Sequence, residues 1–434
     1  MKSVYILLLF SFFSLITAVA VYPQECYYVR SDGNDNNNGL SENTPFKTLA
    51  MALEKAREGN IKIIKIIGLI SGNNIENTDW AFNIENTGSA LITITGESIT
   101  GQEGHVTVEG TIGVISIGNN TNILFQHITI SGGKNAFGGG IAVGGFRANV
   151  TLGEGVKIVN NNAIWGAGVG IYDMGTCVMS GGEISENNAE IAGGGVYSTG
   201  LFIMTGGIIN NNHSDKVAGG LFINEHSECE LRGGKINRNF APEVAGVYIA
   251  GSMTMVDGEI NGNQANFQYG GVIVFGTLIM NGGSISFNQS MSWAGIGVLG
   301  NFIMNDGEIS GNYSYAGVGG VSLGNHGIFI MNGGKIYANH NSSNQSNGKG
   351  GAVTIPRGTS FVMNGGQIAH NQAYYGGGVY VANGGNFTIS NGEITQNQSH
   401  EGGGVYIETE GVFTITGGMI NNNGSADGKD VKYE

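Results

Sequence analysis

Three groups of residues have the types and spacing to do chemistry. The densest charge runs through Glu225, Glu228, Glu230, Arg232, Lys235 and Arg238. Arg232, Lys235 or Arg238 among those carboxylates is a candidate general base with acidic neighbours. The plainer reading is a solvated salt-bridge patch. A second group, Asp32, Asn34 and Asp35, lies in the loop to Gly39 and has the oxygen donors of a Ca²⁺ site. It lacks the Glu that closes an EF-hand loop, and a turn leading into a helix is preferred. The third group is aromatic: Tyr197, Phe222 and Tyr248, with Trp165, Tyr269, Trp293 and Tyr375 in the variable loop just ahead of the glycines. Outward rings in a row suit sugar stacking or protein docking, although Tyr also simply favours strands.

Other chemistry is not encoded. The eight His are scattered without metal-ligand spacing, and no nucleophile elbow or phosphate loop is present. The chain of 434 residues carries 19 Lys and Arg against 33 Asp and Glu, a net charge of −14 with no basic stripe. Nucleic acid and anionic membranes are therefore disfavoured as partners. No cofactor is implied by the residues themselves.

What must position these side chains is a repeat. The unit is F-x-M-x-G-G-x-I-x-x-N, a variable loop, then G-G-V-Y-I. Its Ile recurs at 158, 184, 209, 236, 260, 285, 309, 336, 368, 394 and 420, at intervals of 24–27 residues except one of 32. Asn follows three residues later in all eleven copies, from Asn161 to Asn423. Five residues before the Ile runs an apolar column from Met179 to Ile415, and seven before it a second from Cys177 to Phe413. That period of two marks a strand with one face inward. Another strand follows the glycines, as in Val247-Tyr248-Ile249. Strands this short, joined by links too brief for crossover helices, are parallel neighbours only as successive turns of one coil.

The fold expected is thus all-β, a right-handed parallel β-helix or solenoid over residues 61–434, regular from about 138. Like residues stack at ~4.8 Å, so eleven turns span about 50 Å. Asn in the tight turns bonds the turns above and below and tolerates left-handed angles. Lys235 belongs to a surface column from Lys157 to Met419 in which opposite charges are mixed, expected to pair across turns. Tyr197, Phe222 and Tyr248 point outward in one row, repeated by Tyr380 and Tyr406. Cys177 and Cys229 share an inward column two turns apart, too far for a disulfide, and are buried free thiols. The Asn-x-Ser/Thr triplets reflect abundant Asn and are not read as glycosylation sites.

Residues 21–60 supply a strand from Tyr27 and a short capping α-helix, entered at Thr44 and Pro45 and running to about Glu58. Its apolar face carries Phe46, Leu49, Leu53 and Ala56. Further strands are expected at Lys62–Ile70, Leu91–Thr95 and Ile123–Ile130. Residues 1–20 read as a signal peptide: Lys2, the apolar run Val4 to Thr17, and Ala18-Val19-Ala20. A retained anchor is the alternative, and no later stretch is long enough to span a membrane.

The segment Tyr27-Tyr28-Val29…Asp32-Gly33…Pro45-Phe46-Lys47-Thr48-Leu49 resembles the N-terminal part of pectate-lyase-like right-handed β-helix proteins. From Gly138 onward, the Gly-Gly-x-Ile and x-x-Asn motifs resemble polymorphic outer-membrane and adhesin-like repeat proteins of bacteria. The resemblance implies export and a β-helix, in a superfamily of lyases, hydrolases, epimerases and non-catalytic adhesins. Such surface proteins often carry a C-terminal barrel or sorting signal, and this chain ends Lys432-Tyr433-Glu434 without one. The leading expectation is an exported, non-catalytic protein at the cell surface, in the outer membrane or outside the cell. It would bind an extracellular glycan or a cell-surface protein. One alternative is a polysaccharide lyase or hydrolase using the Arg232, Lys235 and Arg238 stretch, where Ca²⁺ is the cofactor the resemblance implies. The other is a structural envelope spacer.

Overall fold

The computed structural model describes residues 25–72, 80–97, 104–108, 112–343 and 348–434 of the chain, so the signal segment at 1–20 lies outside the described residues. It is a parallel β-solenoid with one helix. A regular turn holds four strands, as in Leu201–Met204, Ile208–Asn210, His213–Ser214 and Leu221–Ile223, two more than the repeat announces. Their pairings with the next turn are parallel and in register with the repeat columns. We number the faces one to four in that order. Face four alone has 14 strands, one per turn, which at ~4.8 Å per strand gives an axis of about 65 Å.

One continuous core fills the coil. Phe302, Phe329, Phe361, Phe387 and Phe413 stack with centroids 4.7, 4.6, 4.9 and 5.1 Å apart. Cys177 and Cys229 occupy the same column on either side of Phe202, buried and unbridged, and burial pushes the Cys177 thiol up to about 12. In the last turn the same columns surface, with Ile415 at 55% exposure.

The Asn column is a hydrogen-bond ladder. Asn288 Nδ2 donates to Asn312 Oδ1 at 3.0 Å and to the Ile260 carbonyl one turn back at 3.0 Å. Its Oδ1 accepts from Asn263 N and Asn263 Nδ2, both at 3.0 Å. The pattern runs from Asn161 to Asn423, where Asp430 Oδ1 accepts the last backbone N–H at 2.7 Å in place of a further Asn. The left-handed residue is not the ladder Asn, as expected, but the one before it. Asn160, Glu186, Arg238, Phe287, Ala338 and His370 all have φ of 53–58° there. Turning that corner is what aims each Asn side chain inward, where backbone groups of both neighbouring turns await it.

The helix, α1, runs Leu49–Glu58 with Thr48 as N-cap, four residues later than the Thr44 and Pro45 start expected. Phe46 is held as extended chain: its N–H donates to Tyr28 O at 2.8 Å and its carbonyl accepts from Arg30 N at 3.0 Å. A residue bridged to a strand cannot also begin a helix. Leu49, Ala52 and Ala56 are buried against the first turns, closing that end of the core, while Leu53 is only partly buried. The strand expected at Lys62–Ile70 breaks at Gly68 and that at Ile123–Ile130 breaks at His127, both at positive φ where the coil turns from face one to face two.

Candidate functional site

The aromatic residues fall on two adjacent columns. Tyr197, Phe222 and Tyr248 lie side by side in the middle of face four, and Phe275 joins them. Centroids are 5.1, 4.4 and 5.1 Å apart, with planes within 12–23°. Rings stacked this way turn their faces along the rod axis toward one another and offer only edges outward. Such stacking contributes ~0.5–1.5 kcal/mol per pair to the fold but leaves no interior face for a sugar. The second column borders face four and reads Phe137, Trp165, Ala192, Val217, Val244, Tyr269, Trp293 and Val318. Tyr269 and Trp293 stack at 5.1 Å. Tyr375 lies further along, tilted on Tyr406 at 4.9 Å.

Tyr380 and Tyr406 do not extend an exposed row. They are 2% and 7% exposed, because neighbouring side chains fold over them. Lys349 Nζ sits 4.8 Å from the Tyr380 ring centroid and 3.1 Å from Glu408, which also accepts a hydrogen bond from Tyr380. Burial and that bond hold the Tyr380 phenol far above its ordinary value. The partners close on one another, and the cluster ties three turns together.

A ring face is free where the bordering column starts. Phe137 stacks on Trp165 at 4.6 Å and meets Tyr172 edge-on at 5.5 Å. No ring stacks on its other side among the described residues, and Phe137 is 43% exposed. Here the middle column of face four shrinks to Ser116, Ala142 and Gly170, so the surface dips. The result is a trough of about 320 Å³ between Trp80, Phe137 and Tyr172 over Ser116, Ala142 and Gly144. Trp80 lies flat on Gly113, where a Cβ would fall 2.2 Å from the ring. The Tyr172 hydroxyl is buried without a hydrogen-bond partner among the described residues, and burial, with Tyr197 beside it, keeps the phenol neutral. No charged side chain lines the trough among the described residues. The arrangement can stack an apolar ring face and hydrogen-bond its substituents. Sequence reading named Trp165 but missed Trp80, Phe137 and Tyr172. The signal available was the run of small residues in the outward column.

Beyond the corner that follows Gly144 lies a wider cleft of about 680 Å³, lined by Asn86, Asn120, Asn122, Asn149 and Arg147. Arg147 lies over the Phe146 ring at 5.0 Å. Amides and one cation equip this cleft for hydroxyls and acidic substituents.

The charged stretch is dispersed. Arg232 pairs with Glu230, and Lys235 pairs with Glu259 of the next turn at 3.1 Å, as expected of a cross-turn column. Both cations are about half exposed, at 54% and 48%. Arg238 stands on the next corner at φ 53°, exposed. In the N-terminal loop, Asp35 Oδ1 accepts from Lys47 N and Thr48 N, and its Oδ2 from Thr48 Oγ1, all at 2.9 Å. Asp32 pairs with Arg30, and Asn34 Oδ1 accepts from Asn36 N at 2.9 Å. These three side chains hold the turn that seats α1.

Compared with protein-family models, curated proteins and solved structures, the chain matches none.

Proposed function

We propose that this protein is an exported, non-catalytic β-solenoid that binds glycan on face four, at the cell surface or outside the cell. This would place it with the adhesin-like members of the pectate-lyase-like proteins its repeats resemble. One observation carries the reading: the unstacked face of Phe137, backed by Trp165, forms the wall of an uncharged trough opposite Trp80. A pyranose has one apolar face and a rim of hydroxyls, and this wall and the polar side chains of Ser116 and Asn135 in the lining answer both. A chain of sugars leaving the trough meets the asparagine-lined cleft next. The apolar run Val4 to Thr17 before Ala18-Val19-Ala20 supports export.

The test is titration of residues 21–434 with a polysaccharide panel, with and without Ca²⁺, while following unsaturated-uronide absorbance and new reducing ends. Retention of a glycan, weakened about tenfold by Phe137→Ala or Trp80→Ala and unchanged by Arg232→Ala, supports the reading. Turnover lost in Arg232→Ala or Lys235→Ala makes the protein a lyase or hydrolase instead. Neither binding nor turnover leaves a structural spacer.

A further inference from the structure

The two ends of the coil differ. At the first turns α1 lays Leu49, Ala52 and Ala56 over the core and buries them. At the last turn the inward columns come to the surface. Ile389, Ile394 and Ile407 are buried, yet in the next turn Ile415 and Tyr433 are exposed and Ile420 is only partly buried. The strand edges are open there as well. Val412 and Thr416 N–H donate back to the Gly385 and Ile389 carbonyls at 2.9 Å, so the pleat points the Phe413 and Ile415 N–H groups away from the coil, along its axis. Among the described residues no strand pairs with Val412–Ile415 on that side.

The asparagine ladder, by contrast, is finished at this end. Asn423 Nδ2 donates to the Ile394 and Asn421 carbonyls, both at 3.0 Å, and Asp430 Oδ1 takes its backbone N–H. Another turn of the same kind would find no Asn donor left to join. What covers this end is therefore apolar and strand-edged but carries no Asn column. Between Glu410 and Asp427 no residue is charged, so two such ends meet there without repulsion in a chain of net charge −14. A regular turn has 24–27 residues, matching the roughly 20–30 that each side contributes to a stable interface.

We infer that this end binds the same end of a second copy, giving a closed tail-to-tail dimer. A two-fold axis normal to face one sets the two Val412–Ile415 strands antiparallel. Phe413 of each copy then exchanges backbone hydrogen bonds with Ile415 of the other, with both side chains inward, and the two Thr414 meet on the outside. Faces two and four change places across the axis, so Ile420 of one copy lies toward Tyr433 of the other. An open apolar edge is a template for unspecific pairing, and this contact closes it. Because α1 covers the opposite end, the assembly stops at two copies and no fibre grows. The inference does not depend on the glycan reading.

The experiment is sedimentation equilibrium of residues 21–434 from about 1 to about 100 µM, with X-ray scattering at the upper limit. The mass should double, and the longest dimension should rise from about 65 Å to about 130 Å as two coils join end to end. Ile415→Lys replaces an exposed side chain, so it should keep the circular dichroism and weaken the dimer about tenfold or more. Thr414→Cys should form an intermolecular disulfide on mild oxidation, because facing non-hydrogen-bonded residues of an antiparallel pair stand within disulfide range. Thr388→Cys, one turn back, should not. The native thiols are buried and do not compete. A monomer at about 100 µM, an unchanged dimer in Ile415→Lys, a dimer no longer than one rod, or a cross-link at Thr388 instead of Thr414 would each overturn the inference.

Discussion

Single residues in this protein act through their column. Asn288 serves three turns at once, since its amide joins Asn312, Asn263 and the Ile260 carbonyl. Replacing it with Ala strands Asn263 N–H and Nδ2 in a dry interior and removes a donor from Ile260. Each stranded group costs ~1–3 kcal/mol, so Asn288→Ala should lose about 3 kcal/mol or more in urea unfolding. Asn423→Ala, in the partly exposed last turn, should lose clearly less. Equal losses at the two positions would show that the ladder is not the source of the stability. The same column logic separates the two aromatic sets. Phe222 and Tyr248, stacked on both sides, serve the fold, whereas Phe137, with a ring on one side and the trough on the other, is available to a ligand.

At the scale of elements, the one helix depends on a carboxylate outside it. Asp35 takes three hydrogen bonds from Lys47 and Thr48, whereas Thr48 Oγ1 gives α1 a single cap to Met51 N at 3.3 Å. Asp35→Ala should therefore cost about 2 kcal/mol and Thr48→Ala about 1 kcal/mol. Amide hydrogen exchange should show α1 opening first, and the reverse order of the two variants would refute the assignment. The start of α1 also shows where local signals mislead. Thr44 and Pro45 have the chemistry of a helix entry, but Phe46 bonds to Tyr28 and Arg30 and keeps the chain extended. That partnership joins residues far apart in sequence and has no local signature.

For the whole molecule, each turn touches its neighbours and little else, so turns should be interchangeable. Removing residues 264–288 joins Asn263 to Gln289, the residue that pairs with Gln264, and restores every column in register. The shortened chain should fold with the same circular dichroism and a rod shorter by about 4.8 Å in X-ray scattering. Aggregation or loss of the β signal would mean that this turn carries more than its share of the fold.

The amino-acid sequence by itself determined the solenoid, the inward columns, the Asn ladder and the unpaired buried thiols. All of these follow from spacing, because a period of about 25 residues brings like residues into register whatever the loops do. Only the tertiary structure decided what each outward residue faces. Tyr197 and Tyr380 occupy equivalent positions in the repeat, yet Tyr380 is covered by Lys349 and Glu408 from neighbouring turns. Phe137 lies in a segment of no marked pattern, yet the small residues beneath the trough leave one of its faces open. Burial on an outward face depends on side chains one or more turns away, and on loops whose lengths vary freely. A repeat specifies its interior many times over and its surface only once.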